Sequence, residues 1–219
     1  QSDTNAIKIG LTGTPLITKD YYSKDLFGNY IHKYYYNASI ADGYTLRLIR
    51  EEIESDYKIV LKDALDKIKI LKGDIERQKV FAHPNFVTPM LEYIITDFEK
   101  SRLTFSDSSI GGMVVCDSSE QAMEMFRIFN EKYTLKPEQE EELLQAAEPE
   151  KKYKAKLKHS YKVKSAALIL DKYGTKEERK KWVEDFKEGE IDFLFVFNML
   201  LTGFDAKRLK KLYIGRVIN

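Results

Sequence analysis

Four consecutive residues near the end of this 219-residue chain form a turn that could hold a phosphorylated ligand: Thr202, Gly203, Phe204 and Asp205. The apolar run FLFVF at residues 193–197 precedes them and predicts a buried strand. Thr202 can hydrogen-bond a phosphate, and Gly203 allows close backbone approach. Asp205 can accept a hydrogen bond from a ribose hydroxyl or orient an arginine. Because turns at the carboxyl ends of parallel strands form the ligand sites of α/β proteins, this turn is a candidate site.

A second turn of the same kind follows the run IKIGL at residues 7–11. Thr12, Gly13 and Thr14, ahead of Pro15, bring two hydroxyls and a glycine to the end of a predicted strand. Two such turns, about 190 residues apart, suggest two α/β units or the edges of two. Each turn is also consistent with a plain strand exit, since glycine and proline end strands in many proteins.

Several kinds of catalytic and metal site are absent from the sequence. No glycine-rich loop ending in Gly-Lys-Ser or Gly-Lys-Thr can hold the phosphates of a nucleoside triphosphate, and no Asp-Glu pair closes a predicted strand to bind magnesium. The three histidines, His32, His83 and His159, have no ligand-spaced partners, so no metal site is expected. Taken alone, the chain lacks a complete catalytic apparatus.

The composition is that of an ordinary globular protein, with 43% hydrophobic residues, 32% charged residues and a net charge of +1. The length fits one large domain or two modest ones. Any surface that binds phosphate groups must be local, because the total charge is close to zero. Cys116 lies in an apolar run, which favours a small buried side chain over a nucleophile. With one cysteine, no signal peptide and no membrane-length apolar run, a cytoplasmic location is expected.

The first half of the chain is predicted to contain strands and then helices. The predicted strands are residues 7–11, 30–36 and 44–50, of which the last two are rich in aromatic and β-branched residues. Residues 38–43 are predicted to connect two of them as a turn or a short helix. Apolar residues recur at helical spacing over residues 57–71 and again from Pro89 to Leu103, so two helices are expected there.

From Gly111 onward, strands and helices are predicted to alternate. The order is a strand at 112–116, a helix at 120–133, a strand at 165–170, a helix at 175–188, and strands at 192–197 and 211–214. Asp117 or Ser118 can accept a backbone N–H at the start of the first helix. This order predicts an α/β fold, with right-handed crossovers and helices on both faces of a parallel sheet.

A block of charge separates the first of these helices from the next strand. Residues 138–150 hold six glutamates and no basic residue, and residues 151–164 hold seven lysines and no acidic residue. The block is consistent with a solvated helical hairpin or a mobile insertion whose two charges compensate each other. It is also consistent with a surface whose lysines follow a phosphate backbone, since Tyr153, His159 and Tyr161 are interleaved with them.

A set of short motifs extends over nearly the whole chain: GLTGTP at residues 10–15, FG at 27–28, IHKYYYNASIADG at 31–43, NFV at 85–87 ahead of a predicted helix, GMVVCDSS at 112–119, LLTGFDA at 200–206 and LYI at 212–214. Together they resemble the motor (R, or restriction) subunit of type I restriction-modification enzymes, a family of superfamily 2 helicase-like DNA translocases. The first motif is similar to helicase motif III, the fifth to motif IV and the sixth to motif V. Lys207 stands where many relatives carry proline.

The resemblance implies an α/β, RecA-like fold, a parallel sheet flanked by helices. Residues 1–56 would be the C-terminal edge of the first RecA-like domain, residues 57–109 a helical connector, and residues 110–219 the second RecA-like helicase domain, truncated before motif VI. The family's phosphate loop, magnesium-binding motif and nuclease core would lie outside the chain. Arg216 precedes the expected position of motif VI, so the resemblance assigns it no role.

In the intact protein, the resemblance implies a motor that uses ATP and Mg²⁺ to pull double-stranded DNA through a complex and then cuts it. Methyltransferase and specificity subunits would be its partners, and this chain alone is expected to hold no tightly bound cofactor. The implied roles are nucleotide binding or coupling for Thr12, Gly13, Thr14, Gly203 and Asp205, and DNA contact for Thr202 and, at a helix N-terminus, Ser118.

Two other interpretations of the sequence remain open at this point. The chain is also consistent with a non-enzymatic α/β module that binds a protein or a nucleic acid and never binds a nucleotide. The motifs are further consistent with another superfamily 2 protein, such as a repair helicase or an RNA helicase.

Overall fold

The computed structural model describes residues 6–15, 22–45, 47–72, 77–134, 161–201 and 203–216. The chain divides into two compact units, Gln1–Glu52 and Ile53–Asn219. Most of the charged block, residues 135–160, lies outside the described ranges. The domain limits expected after residues 56 and 109 stay predictions.

The first unit contains two short helices, α1 (Ser23–Phe27) and α2 (Tyr36–Ala41). The described residues form none of the strands predicted at 7–11, 30–36 and 44–50, so these three predictions are wrong. A strand needs a neighbour to take up its backbone hydrogen bonds. The apolar side chains of the first predicted strand are instead largely exposed, at 92% for Ile7, 71% for Ile9 and 98% for Leu11.

Local hydrogen bonds explain why the tyrosine-rich run forms a loop and a helix. The Tyr34 hydroxyl donates to Asp42 Oδ2 over 2.6 Å, and the Tyr36 hydroxyl accepts from the backbone N–H of Leu48 over 2.7 Å. Gly43 follows α2 with a φ of 79°, a left-handed conformation that favours glycine. The short helix predicted at residues 38–43 therefore forms, two residues earlier than expected at each end.

The second unit begins with three helices, α3 (Ser55–Lys72), α4 (Arg77–Phe81) and α5 (Pro84–Phe105). α3 confirms the helix predicted at 57–71. α5 begins well before Pro89, where its start was expected, because His83 caps it and Pro84 is favourable at the first helical position. Residues 85–87 therefore lie inside α5 instead of ahead of it. No helix in the described ranges has the length and apolar content needed to cross a membrane.

A four-stranded parallel sheet forms the centre of the second unit, in the order β2-β3-β1-β4. Its strands are β1 (Gly111–Val115), β2 (Ala166–Ile169), β3 (Phe193–Val196) and β4 (Leu209–Ile214). Helix α6 (Ser119–Lys132) follows β1 in the chain and precedes β2. Helix α7 (Lys176–Glu188) connects β2 to β3. Thr175 and Glu178 cap α7 reciprocally, and Gly189 ends it at a φ of 102°.

Helices cover both faces of this sheet, as predicted. One core contains Val87, Leu91, Ile94, Phe98, Met125 and Phe129 of α5 and α6, packed on Val114, Leu168, Phe193 and Phe195. The other core contains Phe186 of α7, packed on Met113, Val115, Ile169, Leu194 and Val196. Alternate residues of each strand point to opposite faces, so the fully buried runs of β1 and β3 serve both cores. The α/β fold with a helix-flanked parallel sheet is confirmed.

Two glycines begin β1 because aromatic rings occupy both sides of it. A Cβ on Gly111 would lie 2.7 Å from the Phe186 ring, on the α7 face. A Cβ on Gly112 would lie 2.6 Å from Phe193 and 2.9 Å from Phe98, on the α5 face. All three distances are below normal van der Waals contact, so the rings can pack directly against the strand backbone only because these two residues have no side chains.

A buried arginine joins α5 to the amino edge of the sheet. Arg102 is 1% exposed and donates to Ile110 O, to Lys162 O and to Asp192 Oδ1. Asp192, in turn, accepts from the backbone N–H of Lys164 over 2.8 Å. These bonds hold the starts of β1, β2 and β3 together at the edge opposite the predicted site, and they satisfy both buried charges.

Candidate ligand site at the carboxyl edge of the sheet

The connections that leave β1 and β3 run over opposite faces of the sheet. β1 continues into α6 on the face that carries α5, whereas the segment after β3 packs on the face that carries α7. Neighbouring parallel strands whose connections diverge in this way leave a crevice between their carboxyl ends, and α/β proteins bind ligands there. For this protein the rule predicts a crevice between the loop that begins at Cys116 and the loop that begins at Phe197.

The loop after β3 has an uncommon backbone conformation. Asn198, Leu200 and Gly203 have φ values of 54°, 59° and 70°. Glycine adopts this left-handed region freely and asparagine tolerates it, but it is costly for leucine. Strain of this kind is concentrated at functional sites. Thr202, predicted to contact DNA from this turn, lies outside the described residues.

Phe204 anchors the same loop, and Asp205 lies exposed beside it. The Phe204 ring is 6.1 Å, centroid to centroid, from the Phe186 ring, which itself packs against Gly111 at the amino end of β1. The segment after Gly203 is therefore already returning along the α7 face toward the start of β4. Asp205 is exposed to solvent, so its carboxylate is accessible to a ligand.

Ser118 caps α6 on the β1 side of the crevice. Its hydroxyl accepts from the backbone N–H of Gln121 over 3.1 Å, which confirms the predicted role of this segment as a helix start. The residue is 2% exposed. A phosphate contact by the Ser118 hydroxyl therefore requires this cap to open, and such a contact stays a prediction.

The Glu120 carboxylate accepts hydrogen bonds at the start of α6. Hydrogen bonds from its own backbone N–H, from the Ser119 hydroxyl and from Ser118 lower the pKa of its carboxyl group below the ordinary value. The positive end of the helix dipole favours the same charged form. A carboxylate of the protein itself thus lies where an anion would otherwise bind.

Gln121 connects the crevice to the helices that precede the sheet. It is fully buried, and its Oε1 accepts from the backbone N–H of Asp117 over 2.7 Å. Its Nε2 donates to Phe81 O, at the end of α4, over 3.0 Å. The loop after β1 and the α4–α5 corner are therefore held to each other through one side chain.

Arg216 approaches the crevice from β4 and is a site residue that the sequence interpretation left without a role. Its Nη1 donates to Asn198 Oδ1 over 2.7 Å. Because β1 lies between β3 and β4, this bond passes across the carboxyl end of β1. The available signal in the sequence was its place two residues after a predicted strand, the position from which side chains project at a carboxyl edge.

The turn of the first unit has its own local order. The backbone N–H of Thr14 donates to the Thr12 hydroxyl over 3.0 Å, and a Cβ on Gly13 would meet nothing within 4 Å. All three residues are exposed. They are therefore accessible to a ligand or to another part of a larger protein.

Among the described residues, neither His83 nor Cys116 contributes a side chain to these sites. The ring of His83 caps α5 by accepting from Asn85 N over 3.2 Å, and His159 lies outside the described residues. Cys116 is fully buried, and this burial raises the pKa of its thiol to about 12. The prediction of a buried cysteine is confirmed. Among the described residues, no group of His, Cys, Asp and Glu side chains could hold a metal ion.

Comparison with known proteins assigns these features to a family. The SWI2/SNF2 ATPase family matches residues 3–79, and the family described as type I restriction enzyme subunit R domain 3 matches residues 110–219, half of the chain. This chain belongs to the type I restriction enzyme R subunit family. The resemblance inferred from its motifs is thereby confirmed, and all four strands of the sheet and the crevice lie within the R subunit domain 3 match.

Curated relatives of the R subunit family align with nearly the whole chain. A type I restriction enzyme endonuclease subunit of Methanocaldococcus jannaschii is 26% identical over 98% of this chain and 23% of its own length. One from Staphylococcus aureus strain COL is 25% identical over 97% of this chain and 24% of its own length. The chain thus spans about a quarter of the length of the curated relatives it matches.

Proposed function

We propose that this chain is a motor segment of a type I restriction R subunit, which moves double-stranded DNA by ATP hydrolysis before the DNA is cut. The crevice between the carboxyl ends of β1 and β3 is the observation that carries this proposal. It lies at a topological switch point, its β3 loop contains three left-handed residues, and Asp205 is exposed on that loop. Membership of the R subunit family supports the same activity.

The roles proposed for individual residues follow their accessibility. Gly203 and Asp205 would face the nucleotide from the second unit, where a glycine backbone and a free carboxylate suit a ribose. Thr12, Gly13 and Thr14 would couple the nucleotide state to the DNA. Thr202 would contact the DNA backbone, and Ser118 would do so only if its cap on α6 opens.

ATP and Mg²⁺ are proposed cofactors of the whole protein, and the residues at hand fit them only in part. Phosphoryl transfer needs a lysine, a magnesium ion and usually an arginine around the phosphates. The sequence has no Gly-Lys-Ser or Gly-Lys-Thr loop, and within the described ranges no acidic cluster could hold the metal. These groups would have to come from other parts of the polypeptide, and no catalytic step is assigned to this chain.

The proposed partners are double-stranded DNA and the methyltransferase and specificity subunits of a restriction complex. A purified 219-residue chain is expected to show no ATPase activity above background, with or without DNA, because the phosphate loop is missing from it. ATP hydrolysis by a clean preparation of this chain would contradict the proposal that the phosphate-binding groups come from other parts of the polypeptide.

Substitution of Asp205 in the full-length R subunit tests the proposal. We expect Asp205→Ala to slow ATP-driven translocation about tenfold or more, because the lost carboxylate contacts the nucleotide only in the working motor. The melting temperature should be unchanged, since surface substitutions alter stability by no more than about 0.5 kcal/mol.

Asp171→Ala is the control, because Asp171 is also an exposed aspartate in a loop that follows a strand, β2. It should leave both translocation and melting temperature unchanged. If Asp205→Ala lowers the melting temperature while translocation per folded molecule is normal, the turn is structural and the proposal fails.

A further inference from the structure

Arg216 differs from the two arginines that stabilise the amino edge of the sheet. Arg102 and Arg208 each donate to several backbone carbonyls and lie within 4 Å of the Asp192 carboxylate. Among the described residues, Arg216 contacts a single acceptor, the neutral amide oxygen of Asn198. Its positive charge is therefore not matched by any described carboxylate within ion-pair distance. An arginine with an unmatched charge at a ligand crevice is suited to bind an anion.

The strand end that carries Arg216 is held firmly. The backbone N–H of Gly215 donates to Val115 O over 2.8 Å, which pins the end of β4 to the end of β1. A Cβ at Gly215 would lie 2.9 Å from Met90 Cε and 3.1 Å from Val115 O. Glycine therefore favours the close approach of β4 to β1, and Arg216 follows a strand end that is hydrogen-bonded to its neighbour.

Asn198 complements the arginine. It is the second residue after β3, it is exposed, and its φ of 54° is tolerated better by asparagine than by most other residues. Its amide oxygen accepts from Arg216 Nη1, which leaves the amide Nδ2 as a donor. The guanidinium keeps its Nε and Nη2 donors, the planar pair that binds two oxygens of one phosphate. Because β1 lies between β3 and β4, the bond between Asn198 and Arg216 crosses the carboxyl end of β1.

We propose that Arg216 and Asn198 form a phosphate-binding pair at the β1–β3 crevice. The ligand group is a phosphate oxygen, in the backbone of DNA or in the phosphate chain of a nucleotide. The choice between these two sources rests on the proposed motor function, whereas the binding of a phosphate rests on the geometry of the crevice alone.

The test uses the full-length R subunit and measures two affinities separately. Binding of a duplex DNA without nucleotide is titrated at several salt concentrations, and binding of a fluorescent, non-hydrolysable ATP analogue is titrated without DNA. Loss of one phosphate contact reduces the slope of log affinity against log salt by about 0.9, and loss of a charged hydrogen bond weakens binding about tenfold.

Arg216→Gln should weaken either DNA binding, with the reduced salt slope, or binding of the ATP analogue. The first result identifies a DNA phosphate and the second a nucleotide phosphate. Asn198→Asp should have the same effect without removing the arginine, because a carboxylate on Arg216 would neutralise its charge. Arg216→Lys, which keeps the charge, should retain most of the salt slope.

Lys210→Gln is the matched control, since it removes an exposed positive charge from the same strand near the opposite edge. It should leave both affinities unchanged. If Arg216→Gln and Asn198→Asp match the wild type in both titrations while the wild type translocates DNA, the phosphate pair is refuted and the motor function stands. A wild-type protein that binds neither ligand overturns both proposals.

Discussion

Arg102 and Asp192 are separated by 90 residues in the chain and meet in a buried ion pair, with 2.6 Å between Nη2 and Oδ1. The side chains are 2% and 13% exposed. Each partner also bonds to backbone groups, Arg102 to two carbonyls and Asp192 to an N–H. The pair thus joins α5, an element that precedes the sheet, to the starts of three strands.

Arg102→Met is expected to destabilise the chain by about 3–5 kcal/mol, because it removes the nearest positive charge from a buried carboxylate and the arginine donors from two carbonyls. Denaturant unfolding of the purified 219-residue chain measures this change. Arg127→Met is the control, since Arg127 pairs with Glu124 and Glu131 on the exposed side of α6, and its removal should have no measurable effect. Equal stabilities for the two variants would show that the Arg102–Asp192 ion pair does not stabilise the fold.

Gly112→Ala is expected to cost about 1–3 kcal/mol of stability, because the added methyl group overlaps the buried rings of Phe193 and Phe98. The change is measured by thermal unfolding. Gly13→Ala serves as the comparison, since its methyl group would meet nothing within 4 Å, and it should leave the transition unchanged. A neutral Gly112→Ala would mean that the rings do not pack on the backbone of β1.

Gln121→Met is expected to destabilise the chain by about 1–3 kcal/mol, because it leaves Asp117 N–H and Phe81 O without their partner. Gln121→Glu should be destabilised at neutral pH, where a carboxylate oxygen would face Phe81 O. That variant should regain stability as the pH falls, because the protonated acid can donate as the amide does. Unfolding curves at several pH values check this, and a pH-independent Gln121→Glu would refute the bridging geometry.

Glu120→Gln is expected to reduce the loss of stability in acid. The pKa of Glu120 is lowered from 4.5 in the folded chain, chiefly by its own backbone N–H. A carboxyl group with a lowered folded pKa stabilises the fold above its unfolded pKa, and this contribution is lost as the pH falls through the folded value. The wild type should therefore lose more stability below pH 4.5 than Glu120→Gln. Parallel pH profiles would show that the carboxylate does not bind the helix start.

Local sequence patterns were sufficient for most of the second unit. The apolar runs of β1, β2 and β3 are buried on both faces, and the capping residues Ser118 and Thr175 begin the helices that cover them. These features depend on interactions between residues that are close in the chain. Local sequence patterns are therefore sufficient to predict them.

The errors occurred where structure depends on a distant partner. The aromatic runs of the first unit have high strand propensity, yet within the described residues no strand pairs with them, and tyrosine hydroxyls bond locally instead. The start of α5 was missed because Pro89 was taken as a boundary, although the buried contacts of Phe86, Val87 and Leu91 continue the helix through it.

The family, the alternation of strands and helices, and the segment that contains Gly203 and Asp205 could all be recognised from local patterns of residues. The surroundings of that segment depend on how the strands are ordered in the sheet. Strand order places β1 between β3 and β4, so Arg216 reaches Asn198 across it, and Gln121 joins the β1 loop to α4. Contacts between residues so far apart in the chain depend on strand order and packing, which local patterns do not encode.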